Sequence, residues 1–434
     1  MAPLDDAGTE AAEAFRQRWL QHAPAPPERG DNTYDVFISY RSSDRSWALS
    51  LHDALKEAGW EPFLDQYDLV PGANLESSLT DALEASSSGV ILWSSRTVDS
   101  KWCERERQAM VSIQSERTFN YVFAKLDAED LPRFSQADLY VDFEGEPEGP
   151  RGANLLRLIC GLRGVPLAEE AVRLAQDVDE SALQALVKIS AAVEASNADR
   201  LLEIGTSDEL GLLASPAPGL AAVQGLISMG EHDKALAVLG HARARFPRSL
   251  RARQLEGLAL RRLGRFQEAI DVLEEVRAAG HRDPETLGIL AAAWNGLYGE
   301  TGKRLHLRKS RDLYTTAFRS DPTDYYTGIN AASKSLFLGE ADTAAGIAAE
   351  VKPLVEHAVD GDDLWAGSTL AEVMLLGGDM AGAAEQYQRV IDKHFVRRGD
   401  LASTREQAVR ICTALGCSTD DTARVLAPFE LLDE

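Results

Sequence analysis

The chain has 434 residues, of which 44% are hydrophobic and 26% are charged, so its length and composition indicate a globular protein of two or three domains. Its formal net charge of −24 argues against nucleic acid and anionic membrane as main partners, because both are themselves negative. The sequence has no apolar run long enough to span a membrane and no apolar signal segment near its start, so we expect a cytoplasmic protein.

Cysteine and histidine are scattered along the chain. The four cysteines form no CxxC pair, and the eight histidines form no HExxH motif, so we expect reduced thiols and no metal site. Neither a phosphate-binding lysine loop nor a GxGxxG motif is present. The sequence therefore predicts no bound cofactor.

Residues 1–32 are predicted to be a leader and linker. Residues 9–22 have the spacing of a short amphipathic helix, and the proline-rich stretch 23–27 interrupts it. The sequence pattern changes at residue 33.

Residues 33–162 alternate between short apolar runs and helical patterns. The five runs that we interpret as strands are 34–40, 61–65, 89–93, 121–124 and 139–143. Strands that alternate with helices predict an α/β flavodoxin-like fold with a five-stranded parallel sheet. Ligands bind such sheets at the carboxyl ends of the strands, where the candidate binding residues Arg41, Asp65, Ser94 and Ser95 lie.

A second group of candidates follows the third strand, in the stretch Ser100-Lys101-Trp102-Cys103-Glu104-Arg105-Glu106. Ser100 is a plausible N-cap of a helix on which Trp102 and Glu106, four residues apart, share a face. An indole beside a carboxylate at the edge of a sheet suits a flat cationic ring and its attached sugar. The alternative is an exposed surface glutamate with Trp102 packed in the core.

Three motifs in this region resemble the TIR domain family. They are the first-strand motif 34–41, the loop 65–72 with its D…LxPG pattern, and the serine and W-C-x-x-E motif 100–106. In NAD-cleaving members of that family, the glutamate matching Glu106 is catalytic. The resemblance also implies that the loop containing Leu69, Pro71 and Gly72 contacts a neighbouring TIR domain, so that self-association completes the pocket.

The residues suit the cleavage of NAD⁺, because breaking the bond between nicotinamide and ribose develops an oxocarbenium-like sugar and releases a neutral leaving group. A carboxylate facing the ribose would orient its hydroxyls and offset the positive charge. Trp102 would stack on the substrate, and Arg41 would meet the pyrophosphate or remain a solvated loop residue. Asp65 would shape the pocket or cap its loop.

The rest of the chain is predicted to be helical. Residues 163–215 form a connector that packs on one neighbour or both, and residues 216–434 form a repeat domain. The segments 230–236 and 264–270 are similar and offset by 34 residues, the tetratricopeptide (TPR) period. Later units are less regular, with an apparent insertion at 294–311. We expect an all-α TPR-like solenoid with a partner-binding surface; the alternative is an irregular helical bundle.

The leading interpretation is an NAD⁺ hydrolase that is activated by assembly and yields nicotinamide with linear or cyclic ADP-ribose. The resemblance implies an immune, antiphage effector whose TPR region senses an unknown trigger or builds the oligomer. A rival interpretation is a non-catalytic TIR/TPR scaffold that mediates protein–protein interactions. A third is a TIR domain that makes a nucleotide signal or acts on nucleic acid, which the charge of −24 disfavours.

Overall fold

The structure is a computed structural model. It describes the backbone of residues 14, 17–18, 21–28, 30–41, 44–64, 75–98, 101–132, 140–144, 146, 149–150, 152–247, 249–279, 281–359, 364–393 and 398–432. Within those ranges, no helix is long and apolar enough to cross a bilayer. Internal contacts divide the chain into a first unit, Met1–Leu263, and a second unit, Gly264–Glu434. Each unit is described by itself.

The first unit begins with the predicted five-stranded sheet. Its strands are β1 (Val36–Ser39), β2 (Pro62–Phe63), β3 (Ser88–Trp93), β4 (Asn120–Lys125) and β5 (Tyr140–Asp142). They lie in the order β2-β1-β3-β4-β5, and every neighbouring pair is parallel. The fold class predicted from the alternating pattern is therefore confirmed.

In the described residues, four helices accompany these strands: α1 (Arg45–Glu57), α2 (Leu75–Glu84), α3 (Lys101–Glu116) and α4 (Gly152–Arg163). All six residues of β3 are buried, as expected for a central parallel strand covered on both faces. Phe37, Phe63, Phe123 and Met110 form one apolar cluster between the sheet and its helices. Each such side chain contributes roughly 1.5–3 kcal/mol when fully buried.

Six further helices complete the first unit: α5 (Glu169–Glu194), α6 (Ala198–Gly205), α7 (Leu210–Ala214), α8 (Pro216–Ser228), α9 (His232–Arg245) and α10 (Leu250–Arg262). The composition break at 215–219 is the start of a helix, since Ser215 caps α8 and Pro216 occupies its first turn. One apolar cluster joins Ile189 and Leu201 of the predicted connector to Val223, Val238 and Leu255 of α8–α10. The predicted connector and the first repeat helices thus share a core.

A hydrogen bond links α1, beside the sheet, to α10. The carboxylate of Asp53 is buried in α1, and it accepts the backbone N–H of Leu250, the first residue of α10, at 3.0 Å. The side chain of Ser249 caps the same helix by accepting the N–H of Ala252. A cavity of about 50 Å³ lies beside this α1–α10 contact and is lined partly by Arg245 and Phe246.

The second unit is entirely helical in the described residues. Its elements are α11 (Phe266–Ala278), α12 (Pro284–Thr301), α13 (Arg304–Ser320), α14 (Tyr325–Phe337), α15 (Ala341–Val359), α16 (Leu364–Leu376), α17 (Met380–Lys393), α18 (Arg398–Leu415), α19 (Thr419–Leu426) and a 3₁₀ turn (Ala427–Leu432). Its core includes Tyr314, Phe318, Tyr387 and Phe429.

The predicted repeat is visible in its turns. Gly230 and Gly264, which are 34 residues apart, have φ angles of +80° and +74°, a left-handed conformation that glycine adopts without strain. Each lies two residues before the start of a helix, Gly230 before α9 and Gly264 before α11. The recurring glycine therefore occupies the same position before two helices that start 34 residues apart.

Residues 294–311, predicted to be an insertion, belong instead to a lengthened helix pair. They cover the second half of α12 and the first half of α13, which have 18 and 17 residues, against 13 in α11 and α14. Gly296 and Gly299 lie inside α12, whereas Gly302, with φ +65°, ends it. The irregular spacing thus comes from longer helices.

Part of the leader contacts the body of the first unit. The carbonyl of Pro24 accepts a hydrogen bond from the indole N–H of Trp60 at 3.2 Å. Most of the helix predicted at 9–22, including Trp19, lies outside the described residues. The domain boundaries at 32, 162 and 215 remain predictions.

Candidate functional site

The strand order creates a crevice at the carboxyl edge of the sheet, between β1 and β3. From β1 the chain continues to β2 on one side, and from β3 it continues to β4 on the other. The loops that leave β1 and β3 therefore diverge, which is where open parallel sheets bind their ligands. Ser39 ends β1 and lies in register with Ile91 of β3.

Glu106 reaches this edge from α3. Its Oε2 accepts a hydrogen bond from the hydroxyl of Ser39 at 2.5 Å, a length typical of an O–H donor bonded to a carboxylate. Ser39 is 1% exposed, whereas Glu106 is only partly buried. Cys103 and Met110 are buried on the same helix, so α3 is anchored while Glu106 stays accessible at the crevice.

Several predicted residues cannot be placed as side chains. The backbone of Trp102 belongs to α3, but its side chain lies outside the described residues, as do Asp65, Leu69, Pro71, Gly72 and Ser100. Stacking by Trp102 and the role of the loop therefore stay predictions.

Ser94 and Arg41 belong to a network that joins the loops after β1 and β3. Ser94 is fully buried, and its hydroxyl donates to the buried carboxylate of Asp44 at 2.7 Å. Arg96 pairs with the other oxygen of Asp44 at 3.2 Å, and the exposed Arg41 donates to the carbonyl of Arg96. In this arrangement Ser94 joins the loop after β3 to the loop after β1. Direct contact between Ser94 and a substrate remains a prediction.

Ser95 is exposed and bonds to Asp127, which follows β4. Its backbone N–H and its hydroxyl both donate to that carboxylate, the hydroxyl at 2.7 Å. Burial raises the pKa of Asp127, but the hydrogen bonds from Ser95 and from the N–H of Glu129 oppose it, so the pKa is lowered overall. Asp127 thus remains a charged anchor for the loop after β3.

The structure brings together Glu106, Arg41, Ser94 and Ser95 along one edge, as the sequence predicts for strand ends. Sequence reasoning missed Ser39, Asp44 and Asp127 as members of the site. Ser39 could have been found as the polar residue that closes the apolar strand Val36–Ser39. In the described part of the chain, no group of three or more histidine, cysteine, aspartate or glutamate residues could hold a metal ion.

Comparison with known proteins identifies two matching families. The TIR domain family matches residues 36–159, and a family described as Tetratricopeptide Repeats-Sensor matches residues 231–337. A probable 2′ cyclic ADP-D-ribose synthase of Brachypodium distachyon is 33% identical over 104 residues, which cover 24% of this chain and 46% of that protein. Toll-like receptor 4 of Pinctada imbricata is 30% identical over 137 residues, covering 28% of this chain and 15% of the receptor. The chain thus spans less than half the length of these relatives.

Two solved structures are similar to parts of the fold. A TIR domain of a Toll-related receptor from Hydra magnipapillata is 26% identical, with a TM-score of 0.23 over 26% of this chain and 85% of that one. A thermophilic TPR protein of Thermus thermophilus is 21% identical, with a TM-score of 0.35 over 44% of this chain and 95% of that one.

Proposed function

We propose that this chain, which joins a TIR domain at 36–159 to tetratricopeptide sensor repeats at 231–337, cleaves NAD⁺ to nicotinamide and an ADP-ribose product. The observation that carries the proposal is the carboxylate of Glu106 at the carboxyl edge of the sheet, held by the buried hydroxyl of Ser39. The similarity to a probable cyclic ADP-ribose synthase over 104 residues supports the same substrate.

In the proposed reaction, the bond between the ribose C1′ and the nicotinamide nitrogen breaks, and its electron pair leaves with neutral nicotinamide. Glu106 offsets the positive charge that develops on the ribose and orients its hydroxyls. Water then attacks C1′ and loses a proton to give linear ADP-ribose; attack by a hydroxyl of the same molecule would give a cyclic product. Ser39 acts as a positioning residue, because its hydrogen bond fixes the direction of the carboxylate.

The direct test is to incubate the purified full-length chain with NAD⁺ and quantify nicotinamide and ADP-ribose products by chromatography. Release of nicotinamide in stoichiometric amounts with a linear or cyclic ADP-ribose supports the proposal. The absence of turnover at high protein concentration would favour the scaffold function, which the similarity to Toll-like receptors also makes worth testing.

Ser39→Ala is expected to lower kcat about 10- to 100-fold with a small change in KM. A hydrogen bond to a charged group is worth about 1.5–3 kcal/mol, and its loss would let the carboxylate of Glu106 rotate. Ser88→Ala is the matched control, since Ser88 is an equally buried serine that begins β3, away from the carboxyl edge of the sheet, and donates to the carbonyl of Asp35. A similar loss of kcat in both variants would show that Ser39 acts only through stability.

We further propose that assembly of TIR domains completes the pocket and that the repeats sense the trigger, so that the chain acts in the cytoplasm as an immune, antiphage effector. Specific activity is then expected to rise several-fold from nanomolar to micromolar protein, because the approach of a second domain closes the crevice around the substrate. Kinetic assays run alongside light scattering check this. Constant specific activity of a strictly monomeric protein over that range would rule out activation by assembly.

A further inference from the structure

A cluster of charged side chains lies where α14, α16 and α18 of the second unit pack against one another. Its central member is Lys334, which is 4% exposed. The ammonium of Lys334 donates to the amide oxygen of Asn330 at 2.9 Å and to the hydroxyl of Ser333 at 3.3 Å, both neutral groups. It makes no ion pair with any described carboxylate. The charge of the nearby carboxyl group of Glu372 acts on Lys334 and only partly compensates the buried ammonium.

A second cation lies on the same aromatic ring. The guanidinium of Arg410 is 4.7 Å from the ring centre of Phe337, and the ammonium of Lys334 is 5.9 Å from it. Arg410 forms no hydrogen bond or ion pair with the described residues, so its donors are not used within them. Burial, and then the positive charge of Arg410, lower the pKa of Lys334. The two cations are thus held together at an electrostatic cost.

The only carboxyl group that opposes them in the described residues is weakly engaged. Glu372 accepts a hydrogen bond from Gln407 at 3.4 Å. Burial raises the pKa of Glu372 to about 7, although the charge of Lys334 and the hydrogen bond from Gln407 oppose that rise. Tyr387 is 1% exposed, and its hydroxyl has no hydrogen-bond partner among the described residues. Burial, and then the nearby charge of Glu372, raise the pKa of Tyr387. The cluster therefore contains positive charge and polar groups that the described chain does not satisfy.

We propose that this Lys334–Arg410 cluster is a binding site for a small anion that carries a phosphate group. A phosphate dianion would match the two cations, and its oxygens would accept from the ammonium and from the planar guanidinium. The proposed ligand would give the sensor repeats a chemical input, and its binding does not depend on NAD⁺ cleavage at Glu106.

Two exposed aromatic rings suggest that the phosphate belongs to a nucleotide. Tyr326 on α14 is 51% exposed and lies two helical turns before Lys334; Trp365 on α16 is 52% exposed and lies two turns before Glu372. Two turns correspond to about 11 Å, which is comparable to the distance between the base and the terminal phosphate of a nucleotide. A planar base would stack on either ring.

The test uses the full-length chain carrying Glu106→Gln. All variants carry this substitution, so that any binding at the TIR site is the same in every sample. Calorimetric titration with inorganic pyrophosphate and with ADP, at constant ionic strength, is expected to show binding and a rise in Tm. Lys334→Gln combined with Arg410→Gln is expected to weaken both ligands at least tenfold. The control is Arg319→Gln, which removes a surface arginine paired with Glu350 on neighbouring helices of the same unit.

If ADP binds more tightly than pyrophosphate and Trp365→Ala removes that difference, the ligand is a nucleotide. Equal affinities for ADP and pyrophosphate would identify a site for the phosphate group alone. Arg410→Gln by itself serves if the double variant does not fold, because Arg410 is only partly buried. No binding of either probe, or unchanged affinity in folded variants, would overturn the proposal.

Discussion

Replacing Glu106 by alanine is expected to reduce nicotinamide release from NAD⁺ by on the order of 10³-fold, because the group that offsets the developing ribose charge is removed. The Tm should change little, since Glu106 is only partly buried. Product chromatography and differential scanning calorimetry on the same samples check both expectations.

Glu104→Ala is the matched control for this substitution. Glu104 lies on the same helix, its side chain is 44% exposed, and it pairs with Arg107 at 2.7 Å. The hydrogen bond from Arg107 lowers the pKa of Glu104, but Glu104 itself is largely at the surface, where such a pair contributes little to stability. We expect Glu104→Ala to retain activity within about twofold. Full activity in a folded Glu106→Ala protein would reject Glu106 as the catalytic group.

A chain that ends at Ala214 is expected to lack a cooperative thermal transition and to aggregate. The cut removes α8–α10 and exposes Ile189, Leu201 and Ile204, which are buried in the core shared with those helices. Each loses roughly 1.5–3 kcal/mol of burial, and together they approach the 5–15 kcal/mol that typically separates folded from unfolded domains. Calorimetry and size-exclusion chromatography with light scattering provide the measurement.

The companion protein ends at Leu263, the last residue of the first unit, and keeps the shared core complete. We expect it to unfold in one cooperative transition. If the shorter chain instead proves monomeric with the same Tm, α5 and α6 do not need the repeat helices, and the core shared across residue 215 is of little energetic importance.

The sheet could be predicted from sequence because its signal is local. The buried run 88–93 and the polar turns around it fix a central strand without knowledge of its neighbours, and the 34-residue offset of Gly230 and Gly264 fixes a turn. The length of α12 could not be predicted in the same way. Gly296 and Gly299 weaken the helical pattern locally, and packing in the second unit overrides their low helix propensity.

The candidate site was predictable only in part, because its contacts join distant segments. Glu106 and Ser39 are 67 residues apart, and no periodic pattern connects them. Ser94 and Ser95 look equivalent in sequence, yet the hydroxyl of Ser94 faces the buried Asp44 and that of Ser95 reaches Asp127 at the surface. The direction in which the loop after β3 turns determines which of the two serines points inward. That direction depends on contacts with Asp44 and Asp127, which are distant in sequence.

The α1–α10 contact has a mechanical consequence. The carboxylate of Asp53 holds the first residue of α10, and α1 itself starts at Arg45, next to the Asp44 that anchors Ser94 and Arg96. A 13-residue helix about 20 Å long is stiff, so it acts as a lever between these two anchor points. A rotation of α10 would therefore either move α1, together with the loop after β3 that Asp44 anchors, or break the hydrogen bond between Asp53 and Leu250. α10 and the sheet are therefore linked mechanically through α1 within the first unit.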